Sequence, residues 1–170
     1  MLATKPRSLP LDTIRDDEVE RPPLGDTVKN ILEEARMLLP GIQTLFGFQL
    51  IVVFNQTFQE RLSSVEQDLH LGAMALVAVA GALVMTPASY HRRAEPETIS
   101  RSFVRLSTRL LAWSLYPLMV GISIDFYLVA SLITTNDVLS LLLALGLLLI
   151  LAGLWLVLPR VPALHRRLGA

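Results

Sequence analysis

Residues 138–158 read VLSLLLALGLLLILAGLWLVL, 21 positions without a charge. As a helix this stretch is about 30 Å long, the thickness of a bilayer's hydrocarbon core. Helices of soluble bundles carry a polar face. Here Ser140 is the one polar side chain, so the segment must be surrounded by apolar matter on every side. Three more segments have the same character. Residues 41–58 and 71–90 carry no charge, and residues 110–133 carry one, Asp125. Four such runs in 170 residues predict an all-α, four-helix transmembrane bundle, in which lipid is the solvent.

The basic residues provide a second, independent test. Fourteen of the fifteen Lys and Arg fall in three places: before the first run, between the second and third, and after the fourth. The other two connections contain only Arg61. Cytoplasmic loops are enriched in Lys and Arg. Four spans with both termini cytoplasmic put all three basic segments on one side. Both termini are therefore expected in the cytoplasm, with residues 159–170 as a basic cytoplasmic tail. The formal net charge of zero conceals this sorting.

Residues 1–25 contain Pro6, Pro10, Pro22 and Pro23 and an acidic group of Asp12, Asp16, Asp17, Glu18 and Glu20. With no apolar run to bury, this tail is expected to be disordered or held by a partner. Over residues 26–40 the pattern changes. Val28, Ile31, Leu32, Ala35, Leu38 and Leu39 fall on one helical face, and Lys29, Asn30, Glu33, Glu34 and Arg36 on the other. An amphipathic N-terminal interfacial helix is expected, with Asp26 as its cap. Pro40-Gly41 either breaks it before the membrane domain of residues 41–158 or bends one continuous helix.

Asp125 is the one formal charge inside a span. A carboxyl at that depth costs a few kcal/mol, about 3 on insertion scales, so it should face protein or a water-filled cleft. Its neighbours at i−4, i−8 and i−11 are Gly121, Pro117 and Ser114, a small and partly polar face. Gln49 and Gln56 on the first span, together with Val53 and Glu60, share a helical face and are expected to stand near it. Two readings follow: a protonated acid hydrogen-bonded across the bundle as glue, or a proton or cation site. No cation lies within a span to balance Asp125; Arg61 and His70 are the only potential cations expected on the outer side.

The second span is rich in small residues, with Ala78/Ala82, Ala73/Ala80 and Gly81/Ala88 pairs that favour close helix packing. Gly146 and Gly153 stand one heptad apart on the fourth. Arg101, Arg105 and Arg109 make a basic stripe at the start of the third span, suited to anionic lipid headgroups. The chain has no cysteine, no glycine-rich phosphate loop, no metal-ligand spacing and no nucleophile elbow. Nothing points to an enzyme, a metal or other cofactor, or a nucleic acid.

Two stretches carry a resemblance. Glu34-Ala35-Arg36-Met37-Leu38-Leu39-Pro40-Gly41-Ile42-Gln43, with Leu45-Phe46-Gly47-Phe48-Gln49-Leu50 after it, resembles the opening of an uncharacterised bacterial family of small multi-span inner-membrane proteins. The close of the second span, Thr86-Pro87-Ala88-Ser89-Tyr90-His91-Arg92, is similar to that family's P-x-x-x-H-R ending. The resemblance runs over about residues 33 to 130 and implies a membrane protein without an assigned activity. Both motifs fall at the basic end of the bundle. Glu34, Arg36, Gln43, His91 and Arg92 are therefore expected to cluster, and a pair of Glu34 with Arg92 or His91 would lock the amphipathic helix to the bundle.

The expected function is non-enzymatic. The chain would act by helix–helix association in the bilayer, as an accessory subunit of a larger membrane complex or as a homo-oligomer. The rival expectation is a small oligomeric proton or cation channel or transporter built around Asp125.

Overall fold

The computed structural model describes residues 23–94 and 100–160. It is helical, with no strand among those residues. Helix α1 spans Leu24–Val52, α2 spans Gln56–Arg61, α3 spans Ser64–Ala94, α4 spans Arg101–Thr134 and α5 spans Asp137–Ala152. A π-helical turn over Gly153–Val157 and a 3-10 turn over Leu158–Arg160 extend α5. There the Leu158 N–H donates to the carbonyl of Gly153, five residues back, just before Pro159, which has no N–H to continue the ladder. Four of these helices are long and apolar enough to cross a membrane: α1, α3, α4 and α5 with its extension.

Several caps follow from sequence. Ser63 and Glu66 form a reciprocal capping box at the start of α3: the Ser63 N–H donates to the Glu66 carboxylate at 2.8 Å, and the Glu66 N–H donates to Ser63 Oγ at 3.4 Å. Ser100 accepts from the Phe103 N–H, and Asn136 from the Leu139 N–H. Helix α1 differs from expectation. It starts two residues before Asp26, directly after Pro23, so Asp26 sits in the first turn, where its charge favours the helix dipole instead of capping it.

Helix α1 also runs unbroken through Pro40, the continuous alternative of the two left open by the sequence. Its buried residues, Val28, Ile31, Ala35, Ile42 and Gln49, repeat at three, four and seven, a single stripe. The stripe reaches the core formed by Val77, Ala80 and Val84 of α3 and Leu111 and Leu118 of α4. The apolar face of residues 28–39 is thus packed against protein.

Helices α3 and α4 form the most extensively packed pair, with α1 on α3 and α5 on α4. The α3 seam is Ala73, Val77, Ala80, Val84 and Pro87, spaced four, three, four and three. Opposite, α4 offers Ser107, Leu111, Ser114, Leu118, Gly121 and Leu128. This is the left-handed 3-4 packing pattern of bundles. Gly121 permits the closest approach: a Cβ there would lie 3.0 Å from Val77 Cγ2 and 3.2 Å from the Ala73 carbonyl oxygen. Of the expected small-residue pairs, Ala73/Ala80 is in this seam, whereas Ala78 and Ala82 are exposed.

Candidate functional site

The Ala73–Gly121 contact sets the register of the antiparallel α3 and α4. One turn further towards the α2 end, His70 extends the α3 seam by its three-residue step, and Asp125 extends the α4 seam by four. The two side chains meet: His70 Nδ1 lies 3.1 Å from Asp125 Oδ1. This is the one ion-pair contact among the described residues. Gln49, three residues before the end of α1, donates its side-chain N–H to Asp125 Oδ2. His70 Nε2 lies 3.0 Å from the backbone carbonyl of Gln49. One acid, one imidazole and one amide therefore join three helices.

These contacts fix the tautomer of His70. A carbonyl oxygen can only accept, so Nε2 must carry the proton and donate it. Nδ1 then faces Asp125 in one of two ways. A neutral imidazole accepts from a protonated carboxyl, or an imidazolium donates to a carboxylate. Both forms have zero net charge and share one proton between Nδ1 and Oδ1. A neutral cluster is the form an apolar medium tolerates. In either form Oδ2 remains an acceptor for Gln49. Gln49 Oε1 is buried with no hydrogen-bond partner.

The short helix α2 closes over this junction. Val52 ends α1, and Asn55, in an extended conformation, starts α2 by accepting from the Thr57 N–H at 2.9 Å. Phe58 is thereby turned inward, buried, with its ring edge-on to His70 at 5.2 Å between centroids. Leu62 is buried beside it. A cleft of about 360 Å³ runs past Gln49, His70 and Asp125 between apolar walls from α1, α2 and α4.

Several expectations change here. Asp125 is not without a counter-group: His70 supplies one. Gln56 does not join the site. It is exposed at the start of α2, because the chain leaves the α1 helix after Val52 and the helical phase linking Gln49 to Gln56 is lost. The first span ends there too, six residues short of residue 58. His70 was legible as the next step of the Ala73/Val77/Ala80 spacing, a signal hidden by its position one residue before the charge-free run.

At the other end, Arg36, His91 and Arg92 line a common groove between α1 and α3. Glu34 and Gln43 are exposed, and Glu34 forms no ion pair with Arg92 or His91. On α1 the residues facing this groove are Leu32, Ala35, Arg36 and Leu39. Glu34 lies about 150° away from that stripe at 100° per residue. Arg101, Arg105 and Arg109 are exposed along the first turns of α4. The tails expected over residues 1–22 and 161–170 lie outside the described residues.

The fold and the junction define a helical membrane protein whose spans enclose one polar, three-helix contact. By sequence the chain belongs to the family of unknown function DUF6328, whose model matches residues 18–159. No curated protein and no solved structure matches it.

Proposed function

We propose that this protein is a non-enzymatic component of a bacterial inner membrane, with both termini cytoplasmic. It acts by helix–helix association, as an accessory subunit or as a homo-oligomer. The observation that carries this reading is the state of α5. Only Ser140 and Ala144 of that helix are buried, and both lie in its first half. Around Gly146 and Gly153 there is open space where a Cβ would project. Backbones can approach closely at such positions, and in lipid packing is the main drive for association. The in-span carboxyl of Asp125, meanwhile, is engaged inside the chain by Gln49 and His70. The test is to replace both glycines by Leu and weigh the native assembly extracted in mild detergent. Loss of co-purifying subunits or of the oligomer, with the monomer still helical, supports the reading. An unchanged assembly overturns it.

Proton conduction is the second reading, favoured by the shared proton of His70 and Asp125 beside a cleft. Flux in liposomes distinguishes the two. Asp125→Asn should abolish proton flux under the conduction reading. Under the association reading the wild type shows no flux above empty vesicles.

A further inference from the structure

Helices α1 and α3 touch at Ile42 and Gly81, where a Cβ on Gly81 would lie 3.4 Å from Ile42 Cγ2. Towards the basic end a groove of about 610 Å³ lies between them, within the size range of ligand sites. Its walls are apolar, with Leu32 and Leu39 from α1 and Val84 and Met85 from α3. Its polar residues are Arg36 from α1 and Ser89, His91 and Arg92 from α3, and none is acidic. Neither arginine forms a hydrogen bond or an ion pair with a described residue. The Nδ1 of His91 is buried with no hydrogen-bond partner. Among the described residues, the nearby acids Glu33 and Glu34 are exposed and form no ion pair with the group.

We propose that this groove is a binding site for one anionic phospholipid. The phosphate sits between Arg36 and Arg92, and an acyl chain lies along the Leu39–Met85 wall. Charge complementarity selects the occupant. Two guanidinium groups, without an ion pair among the described residues, at the end of an apolar, membrane-facing groove match a molecule with an anionic head and an apolar tail. A free phosphate satisfies the head but leaves the walls bare, and a zwitterionic lipid brings its own cation to the arginines. The inference is independent of the association reading, because no residue of α5 lines this groove.

The test uses the full-length protein in nanodiscs of phosphatidylcholine with a minor fraction of phosphatidylglycerol, followed by detergent extraction and native mass spectrometry of retained lipid. Phosphatidylglycerol should be retained over phosphatidylcholine. Arg36→Gln with Arg92→Gln should lower that preference about 25-fold, at about fivefold for each basic residue near an anionic surface. Ala88→Trp, at an exposed position lining the groove, should displace the lipid while leaving both arginines in place. Arg101→Gln with Arg109→Gln removes the same charge from the α4 stripe and should leave retention nearly unchanged. The proposal is overturned if the stripe variant loses as much lipid as the groove variant. It is equally overturned if Ala88→Trp has no effect, or if millimolar inorganic phosphate displaces the lipid, which would mark a plain anion site.

Discussion

Gly121→Ala tests whether the α3–α4 seam positions the polar junction. The added Cβ would meet Val77 Cγ2 at 3.0 Å and the Ala73 carbonyl oxygen at 3.2 Å. Carbon atoms in good contact sit about 3.5–4.0 Å apart, and one of the clashing atoms is backbone, which cannot rotate away. The helices must separate by about half an ångström. Overpacking of this kind costs about 1–3 kcal/mol. Replacing a helical glycine also contributes up to about 1 kcal/mol in the favourable direction. Gly47→Ala provides the control, because a Cβ there has nothing within 4 Å. The propensity gain is common to both, so Gly121→Ala should be less stable than Gly47→Ala by about 2 kcal/mol. Reversible unfolding in mixed micelles, followed by far-ultraviolet circular dichroism, measures the difference. Because His70 and Asp125 lie one turn beyond this contact, the His70 ring resonances should also move in Gly121→Ala and not in Gly47→Ala. Equal stabilisation by both substitutions would refute the close-approach argument.

Other perturbations act on the junction and its surroundings. His70→Ala or Asp125→Ala alone should cost about 2 kcal/mol, since each leaves polar groups of the junction unsatisfied. The double variant should cost clearly less than the sum, and additivity in the cycle would deny the contact. Phe58→Ala should cost about 3 kcal/mol and should speed modification of His70 by diethyl pyrocarbonate, a rate read by mass spectrometry. Thr135 has φ 50° at the C-cap of α4, a left-handed conformation unfavourable to a β-branched residue. Thr135→Gly should raise stability by about 1 kcal/mol in the same unfolding assay; a loss would show that the Thr side chain contributes more than its strain.

The architecture was legible because lipid imposes a simple rule on long segments. Residues 71–90, 110–133 and 138–158 could be placed by length and charge alone, and all lie within α3, α4 and α5 with its extension. Gln49 and the inward-facing side of Asp125 were also legible, from helical spacing. What failed were inferences that carried one helical phase across a break. Spacing alone puts Gln56 on the Gln49 face, but Asn55 starts a new helix between them and the chain turns. Depth alone also brings Glu34 near His91 and Arg92, but rotation about the unbroken α1 presents Arg36 to that groove instead. His70 falls outside the apolar run, yet the seam spacing continues to it. Register between α3 and α4 depends on the fit around Gly121, a property of both helices together that neither sequence stretch contains.

The junction is most directly tested at the two ring nitrogens of His70. Nitrogen-15 magnetic resonance of the protein in lipid, with labelled histidine, reports which nitrogen bears a proton. The account predicts a protonated, hydrogen-bonded Nε2 and an Nδ1 whose shift changes strongly in Asp125→Asn. A neutral ring with its proton on Nδ1, a bare Nε2 and no response to Asp125→Asn would contradict it.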